Sequence, residues 1–241
     1  MKFDLIVYTH SDYADVWPIY FGQSKKYFPN AEKVCFVNKE DSRIPDDHRV
    51  IIYNDKLTYR ERVLFCLTQM NSDYIIFHHE DMFLYDEPDK IRILNYRTIL
   101  GLEPNKSFVK LIRGGMQEGE SSNYYQELKH IDKTFEYIFA IQPSIWKFEN
   151  FKKVFKYGKG DNIWQFEVDA QRVCGERNIM GYYVDDDGIK RGKFHWDSKV
   201  YPYVATGIVK GKWNFLEYKE ELTKLLKEYN IDYKTRGTNA E

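Results

Sequence analysis

Short apolar runs alternate with helical patterns through the first part of the chain. Runs rich in β-branched and aromatic residues predict strands at 5–8, 34–37, 50–53 and 74–77. The spacing of apolar positions predicts helices over 13–28 and 59–70, and Pro18 predicts an irregular first turn in the earlier helix. Strands and helices in this order predict an α/β fold with a mixed, mostly parallel central sheet flanked by helices.

The second part of the chain has a less regular pattern. It predicts strands and helices in the order helix 88–100, strand 108–112, strand 137–141, helix 146–155, helix 162–177, strand 182–184 and helix 215–229. Residues 114–122 lack apolar anchors and predict a loop, and residues 235–241 predict a frayed tail. Because no repeat or linker interrupts the pattern, a single domain over residues 1–241 is predicted.

Composition narrows the class of protein. The chain has 241 residues, of which 43% are hydrophobic and 30% charged, as in ordinary soluble domains. Its formal net charge of -1 gives no reason to expect binding to nucleic acid or to an anionic membrane surface. The 3 cysteines form no CxxC pair, which argues against a zinc ribbon or a disulfide framework. No apolar run approaches the roughly 20 residues of a membrane span, and Asp4 interrupts the N-terminal apolar run, so a cytoplasmic protein is expected.

The segment YIIFHHEDMFL, residues 74–84, carries the strongest chemical signal. An apolar strand ends there in the adjacent carboxylates Glu80 and Asp81, which are costly to bury unless a cation meets them. Ligands of open α/β sheets bind at this end of a strand. His78 and His79 lack the spacing of a zinc site, whereas oxygen ligands favour Mg²⁺ or Mn²⁺. The alternative is a solvated pair of carboxylates at a strand end.

Further polar residues follow neighbouring strands. The turn Thr9-His10-Ser11-Asp12 follows the first strand and can hold a base or ribose, or simply cap the next helix. Asp55, after the third strand, is a second candidate for such a contact. The chain has no GxGxxG and no P-loop motif. An arginine of the stretch Tyr59-Arg60-Glu61-Arg62, which opens the second helix, can reach a diphosphate, with Arg62 the candidate, although a solvated helix face with local ion pairs is the better explanation from these residues alone.

Taken together, these features resemble the nucleotide-binding half of a GT-A fold glycosyltransferase, a Rossmann-type α/β architecture. In that family a DxD-type motif after the fourth strand binds the metal that bridges the diphosphate of a nucleotide sugar. The matching tripeptide here is His79-Glu80-Asp81, with histidine in place of the usual first aspartate. The resemblance implies that Asp81 and Glu80 bind Mn²⁺ or Mg²⁺. It also implies donor contacts from Thr9, His10, Ser11, Asp55, Arg62 and His79.

The second half resembles small glycosyltransferases of bacterial polysaccharide or viral glycan assembly. Residues 163–167, IWQFE, are similar to a helix start that supplies an acceptor-side carboxylate, which implies Glu167 as the catalytic base. Trp164 lies one turn earlier on the same helix face and can stack on a sugar, or else pack in the core. Residues 201–213 resemble a segment that covers the donor phosphates. The remaining implied contacts are Lys210 and Lys212 for the donor, His195 for the metal and Arg113 for the acceptor.

The resemblance implies a nucleotide-sugar-binding half at 1–100, an irregular acceptor-side half at 101–234 and a tail at 235–241. The predicted function is metal-dependent transfer of a sugar from a UDP- or GDP-type donor to a glycan hydroxyl. Inversion is favoured because a base can be named, since glycosyl transfer needs a base opposite the leaving group. A nucleotidyltransferase-like enzyme is an alternative, although the chain lacks the glycine-rich basic loop expected of one. A non-catalytic carbohydrate-binding protein would explain the aromatic content of 17%.

Overall fold

The computed structural model describes residues 3–114, 117–192 and 195–240. Within them lies a central sheet of 8 strands, accompanied by two small hairpins. The strands of the sheet are β1 (Asp4–Tyr8), β2 (Glu32–Val37), β3 (His48–Ile52), β4 (Tyr74–His79), β5 (Lys106–Lys110), β6 (Leu128–His130), β7 (Ser144–Lys147) and β8 (Met180–Val184). The hairpins are β9 (Lys190–Arg191) with β10 (His195–Trp196), and β11 (Ile208–Val209) with β12 (Lys212–Trp213).

Helices connect and cover the strands. They are α1 (Trp17–Tyr27), α2 (Tyr59–Thr68), α3 (Lys90–Leu102), α4 (Phe148–Tyr157), α5 (Ile163–Arg177) and α6 (Phe215–Glu228). A separate 3₁₀ turn over Ser11–Tyr13 precedes α1, which begins at Trp17 with Pro18 in its first turn. The irregular start that Pro18 predicted is therefore present. No helix in the described part of the chain is both long enough and apolar enough to cross a membrane.

The strand order is β3-β2-β1-β4-β7-β5-β8-β6. Strands β1 to β4 are parallel, β7 runs antiparallel to both of its neighbours, β8 is parallel to β5, and β6 is antiparallel to β8. This confirms the predicted α/β class and its mixed, mostly parallel sheet. Because β1 and β4 are adjacent with Tyr8 opposite His79, the residues that follow these strands leave the same edge of the sheet together.

Each face of the sheet carries its own apolar core. Leu5 and Val7 contribute to one core, whereas Ile6 and Tyr8 contribute to the other, as the alternation of strand side chains requires. Buried residues of α1, α3 and α6 share the first core, and those of α2, α4 and α5 share the second. The fold is therefore a sheet between two helical layers.

The strand predicted over residues 137–141 is wrong. The strands in this region are β6 and β7 instead, and side chains bind the backbone of 137–141. The Ile141 N–H donates to Glu167 Oε1 at 2.6 Å, the Phe139 N–H donates to Gln171 Oε1 at 3.2 Å, and Lys110 Nζ donates to the Tyr137 carbonyl. The segment forms turns and bends instead, and the backbone groups of Tyr137, Phe139 and Ile141 are bonded by side chains of α5 and β5.

The frayed tail predicted after residue 234 is also wrong over the described residues 235–240. The Trp213 N–H donates to the Gly237 carbonyl and the Asn239 N–H donates to the Trp213 carbonyl, both at 3.0 Å. Thr238 is buried beside them. The tail is thus docked on hairpin β11–β12, next to the carboxyl ends of β1 and β4.

Candidate active site

The acidic pair lies where the sequence predicted it, at the carboxyl end of β4. The strand continues through His79, so Glu80 and Asp81 follow its last residue directly. Glu80 is only 7% exposed. Burial raises the pKa of both carboxyls, and the charge of Asp81 raises that of Glu80 further. Two neighbouring buried carboxyls that resist ionisation form a place where a cation is favoured.

The surrounding chain holds this pair in place. Thr9, which directly follows β1, lowers the pKa of Glu80 through its side chain, against the larger effect of burial. The Ile208 N–H donates to Asp81 Oδ2 at 3.2 Å, and the Gly207 N–H donates to the Asp81 carbonyl at 2.9 Å. The pair is therefore fixed between the β1 strand end and hairpin β11–β12.

The carboxylate oxygens of Glu80 and Asp81 supply only some of the ligands that a hard divalent cation needs. Carboxylate oxygens from one or two residues, completed by phosphate oxygens and water, are the usual ligands of Mg²⁺ in nucleotide sites. The predicted third ligand, His195, lies on β10, bridged to Gly114 and facing the charge of Glu217. Across residues 3–114, 117–192 and 195–240, no three His, Cys, Asp or Glu residues gather as a metal cluster. His195 accordingly does not complete a three-residue site with Glu80 and Asp81.

The predicted nucleoside contacts meet in one polar network at the ends of β1, β2 and β3. His10 Nε2 lies 3.3 Å from Asp55 Oδ1. Asn38 joins the two loops, since its Nδ2 donates to Asp55 Oδ2 at 3.1 Å and its Oδ1 accepts from the Ser11 N–H at 2.9 Å. Sequence reasoning missed Asn38, although its position directly after β2 was an available signal. Thr9 faces inward and accepts a 2.7 Å bond from Trp17 Nε1.

Arg62 is engaged with its own loop in this structure. Its guanidinium donates to the Leu57 carbonyl at 2.8 Å and to the Asp55 carbonyl, and lies 5.4 Å from the centre of the Tyr53 ring. The Tyr53 ring stacks on Tyr8 at a centroid distance of 5.2 Å. Arg62 therefore braces the loop between β3 and α2.

Tyr59, at the start of α2, links the surroundings of the acidic pair to those of Glu167. Its hydroxyl is 2.9 Å from Nε2 of His79, whose pKa burial lowers to about 4, so that the ring is neutral at neutral pH. Burial raises the pKa of Tyr59, and the charges of Glu167 and Glu80 raise it further. Both carboxylates therefore lie within electrostatic range of one phenol. Sequence reasoning missed this bridging residue.

Glu167 is positioned by its helix and by the 137–141 segment. Asn162 caps α5 by accepting from the Gln165 N–H at 3.0 Å, so Glu167 lies in the second turn. Burial raises the pKa of its carboxyl, while the Ile141 N–H and the charge of Lys110 oppose that rise. Oε1 accepts the Ile141 bond, whereas Oε2 accepts no hydrogen bond from the residues that the structure describes.

The predicted acceptor contacts have different settings. Trp164 is 74% exposed, so it does not pack in the core. Arg113 is tied into ion pairs with Asp185 at 3.1 Å and Glu118 at 3.4 Å, and lies 5.0 Å from the Trp196 ring centre. Of these two, Trp164 has the free surface that stacking on a sugar requires.

The basic residues of hairpin β11–β12 are exposed. Lys210 occupies its turn with a left-handed φ of 51°, and Lys212 follows on β12. The same hairpin binds Asp81 through Ile208. Both lysines are therefore on a segment that contacts the acidic pair.

No protein-family model matches the chain, and no curated protein matches its sequence. Solved structures of S. aureus TarS, a GT-A-type glycosyltransferase, do match its fold. TarS 1-349 aligns with a TM-score of 0.54 and 11% identity over 96% of this chain and 65% of that one. The same TarS region in complex with UDP aligns with a TM-score of 0.53 and 11% identity over the same shares.

A longer TarS structure aligns with a TM-score of 0.53 and 11% identity over 96% of this chain, which spans 39% of that protein. The chain is thus shorter than the TarS structures it matches. At 11% identity the likeness concerns the fold alone. The chain has a GT-A-type glycosyltransferase fold.

Proposed function

We propose that this protein is a metal-dependent, inverting glycosyltransferase that moves a sugar from a UDP-type donor to a glycan hydroxyl. One observation carries the proposal: within a GT-A-type fold, the carboxylates of the buried Glu80 and the partly exposed Asp81 follow the carboxyl end of β4, beside the end of β1. Ionised carboxylates in such a position are costly unless a cation meets them, which supports a metal site.

Oxygens of Asp81 and Glu80 would hold Mg²⁺ or Mn²⁺. When bound, such a cation offsets the negative charge that grows on a diphosphate leaving group. Lys210 and Lys212 can add positive charge from hairpin β11–β12. This arrangement needs no third protein ligand, because donor phosphates complete the coordination in many nucleotide sites.

The nucleoside would lie on the network at the ends of β1 to β3. Asp55, Asn38 and His10 present carboxylate, amide and imidazole groups there, suited to the hydroxyls of a ribose and the polar edge of a base. The TarS structure in complex with UDP supports the choice of a uridine donor.

Glu167 would act as base. As the acceptor oxygen bonds to the anomeric carbon, the bond from that carbon to the diphosphate oxygen breaks, and the acceptor proton moves to Glu167. Burial of Glu167 raises its pKa and so strengthens it as a base while it stays ionised. Trp164, on the first turn of the same helix, offers an exposed face for the acceptor sugar.

The test is calorimetric binding of UDP and UDP-sugars with Mn²⁺ or with a chelator, together with release of UDP in a transfer assay. We expect Mn²⁺-dependent binding that falls at least about tenfold in Asp81→Asn, because the cation loses a charged ligand. Asp46→Asn, an exposed change in the loop before β3, is the control and should bind as the parent protein does. The proposal would be refuted if the affinity for nucleotide were the same with Mn²⁺ and with a chelator, and the same in the parent protein and Asp81→Asn.

A further inference from the structure

The C-terminal tail closes the rim of the candidate active site. We infer that Arg236 on this tail contacts the donor diphosphate, so that the tail is part of the donor site. This inference rests on the proposed function and adds a donor-binding residue to it. Arg236 forms an ion pair with Asp15, which lies 221 positions earlier in the chain.

The tail reaches this position through a continuous set of contacts. Asp81 binds hairpin β11–β12 through Gly207 and Ile208. The hairpin in turn pairs with the tail, because Trp213 exchanges backbone hydrogen bonds with Gly237 and Asn239. Arg236 stands directly before the paired residues and is therefore fixed beside the hairpin that holds Asp81.

Arg236 joins the tail to the loop after β1. Its Nε and Nη2 donate to the two carboxylate oxygens of Asp15 at 2.5 and 2.6 Å, and Nη2 also donates to the Asp12 carbonyl at 3.1 Å. The guanidinium lies 4.9 Å from the Tyr13 ring centre. The β1 loop, the β11–β12 hairpin and the tail thus meet at one side chain.

Arg236 lies between two segments that flank the acidic pair. Its Nη1 donates to the Gly211 carbonyl in the turn of hairpin β11–β12, and its Nη2 donates to the Asp12 carbonyl in the loop after β1. The side chain is mostly buried, with 15% of it exposed. A guanidinium held between these two segments is well placed for the oxygens of a diphosphate bound to a cation at Asp81 and Glu80.

One nitrogen of Arg236 keeps spare bonding capacity. Nη1 makes a single long bond, 3.4 Å to the Gly211 carbonyl, whereas a guanidinium NH₂ group carries two hydrogens. Asp15 holds the opposite edge of the guanidinium in a two-point ion pair, which orients the group without using Nη1. A purely structural ion pair with Asp15 would not require a bond to the hairpin that binds Asp81.

The deciding experiment compares the affinities for UDP and UMP in the presence of Mn²⁺, in the parent protein, Arg236→Met and Asp15→Asn. We expect Arg236→Met to lose about tenfold or more in UDP affinity with little change for UMP, because only UDP carries the diphosphate. Asp15→Asn removes the ion pair but keeps the cation, which Tyr13 and the Asp12 carbonyl still hold, so it should retain the preference for UDP. Equal losses of that preference in the two variants, or none in Arg236→Met, would overturn the inference.

Hydrogen exchange of residues 233–240 provides a second test, which uses the parent protein and needs no variant. Protection should increase with UDP and Mn²⁺ but not with UMP and Mn²⁺, and unchanged protection with UDP would contradict the inference. If the parent protein binds no nucleotide at all, the proposed function fails. Nucleotide binding that is indifferent to Arg236 leaves the proposed function standing and removes only this inference.

Discussion

The backbone N–H of Ile141 donates a 2.6 Å hydrogen bond to Oε1 of Glu167, the predicted catalytic base. Gln171, one turn later on α5, binds both backbone groups of Phe139 in the same segment. Glu167 therefore has a structural task on one oxygen, and the proposed proton transfer would use the other. The two tasks respond differently to substitution, which makes them separable.

Glu167→Gln should preserve the fold and abolish transfer. The glutamine carbonyl can still accept the Ile141 N–H, so the free energy of unfolding should stay within about 1 kcal/mol of the parent, while transfer falls about 10²–10⁴-fold for want of a base. Glu167→Ala should also lose about 1–3 kcal/mol, because the N–H is left unpaired. Urea denaturation and UDP release measure the two effects.

Glu176→Gln, an exposed change on the same helix, is the matched control and should alter neither quantity. A Glu167→Gln protein that folds, binds donor and transfers sugar at the parent rate would show that another group takes the proton.

Two tyrosine-to-phenylalanine changes should have opposite effects on stability. Tyr59→Phe removes the partner of His79 Nε2 at 2.9 Å and should cost about 1–3 kcal/mol of unfolding free energy. Tyr203 is buried, and its hydroxyl finds no hydrogen-bond partner in the described part of the chain. Tyr203→Phe should therefore be neutral or stabilising, because it removes an unpaired polar group. Thermal denaturation of both variants without ligand tests this difference, and equal losses would contradict it.

The sequence was sufficient to predict the strands at 5–8, 34–37, 50–53 and 74–77, and hence the place of Glu80 and Asp81. Those strands have strong local patterns, and parallel strands with helical crossovers have few alternative arrangements. The position of an acidic pair after such a strand then follows from the chain itself.

Contacts between distant parts of the chain were not predictable in this way. Residues 137–141 have a strand-like composition, but the side chains of Glu167 and Gln171 take the place of a neighbouring strand. Arg236 lies in a polar tail with no local signal, and its position depends on Asp15 at the other end of the chain. His195 is held on β10 by pairing with Arg191, and it joins no group of three metal-ligating residues in the described part of the chain.

Lys110 should give the protein a measurable dependence of stability on pH. The side chain is only 2% exposed, and burial lowers its pKa from 10.5 to about 8. Because the folded protein loses this proton at a lower pH than the unfolded chain, the free energy of unfolding should rise between about pH 8 and about pH 10.5, by up to roughly 3 kcal/mol.

Lys110→Met should lack this rise, whereas Lys25→Met, which changes an exposed lysine on α1, should retain it. Urea denaturation at several pH values across the window measures the slope for each protein. Parallel slopes for the parent and Lys110→Met would show that Lys110 does not titrate in the folded protein over this range.

Asn239 should stabilise helix α6 although it lies beyond the end of that helix. Asn214, the residue before α6, makes no capping bond from its side chain, and the Leu216 N–H donates instead to Asn239 Oδ1 at 3.0 Å. Asn239→Ala should therefore cost about 1 kcal/mol, as loss of a helix cap does. Asn239→Asp keeps an acceptor at the helix start and should cost less, although it gives up the bond from Asn239 Nδ2 to Asn214 Oδ1.

Asn123→Ala changes an exposed asparagine in a bend and serves as the control. The measurement combines thermal denaturation with hydrogen exchange of residues 215–218 and 233–240. Since the Asn239 side chain bonds to the Leu216 N–H and to Asn214 Oδ1 at the start of the helix, its loss should speed exchange in the helix start and in the tail together. Faster exchange in the tail alone would mean that α6 forms without this cap and that the tail is docked by Trp213 and Arg236.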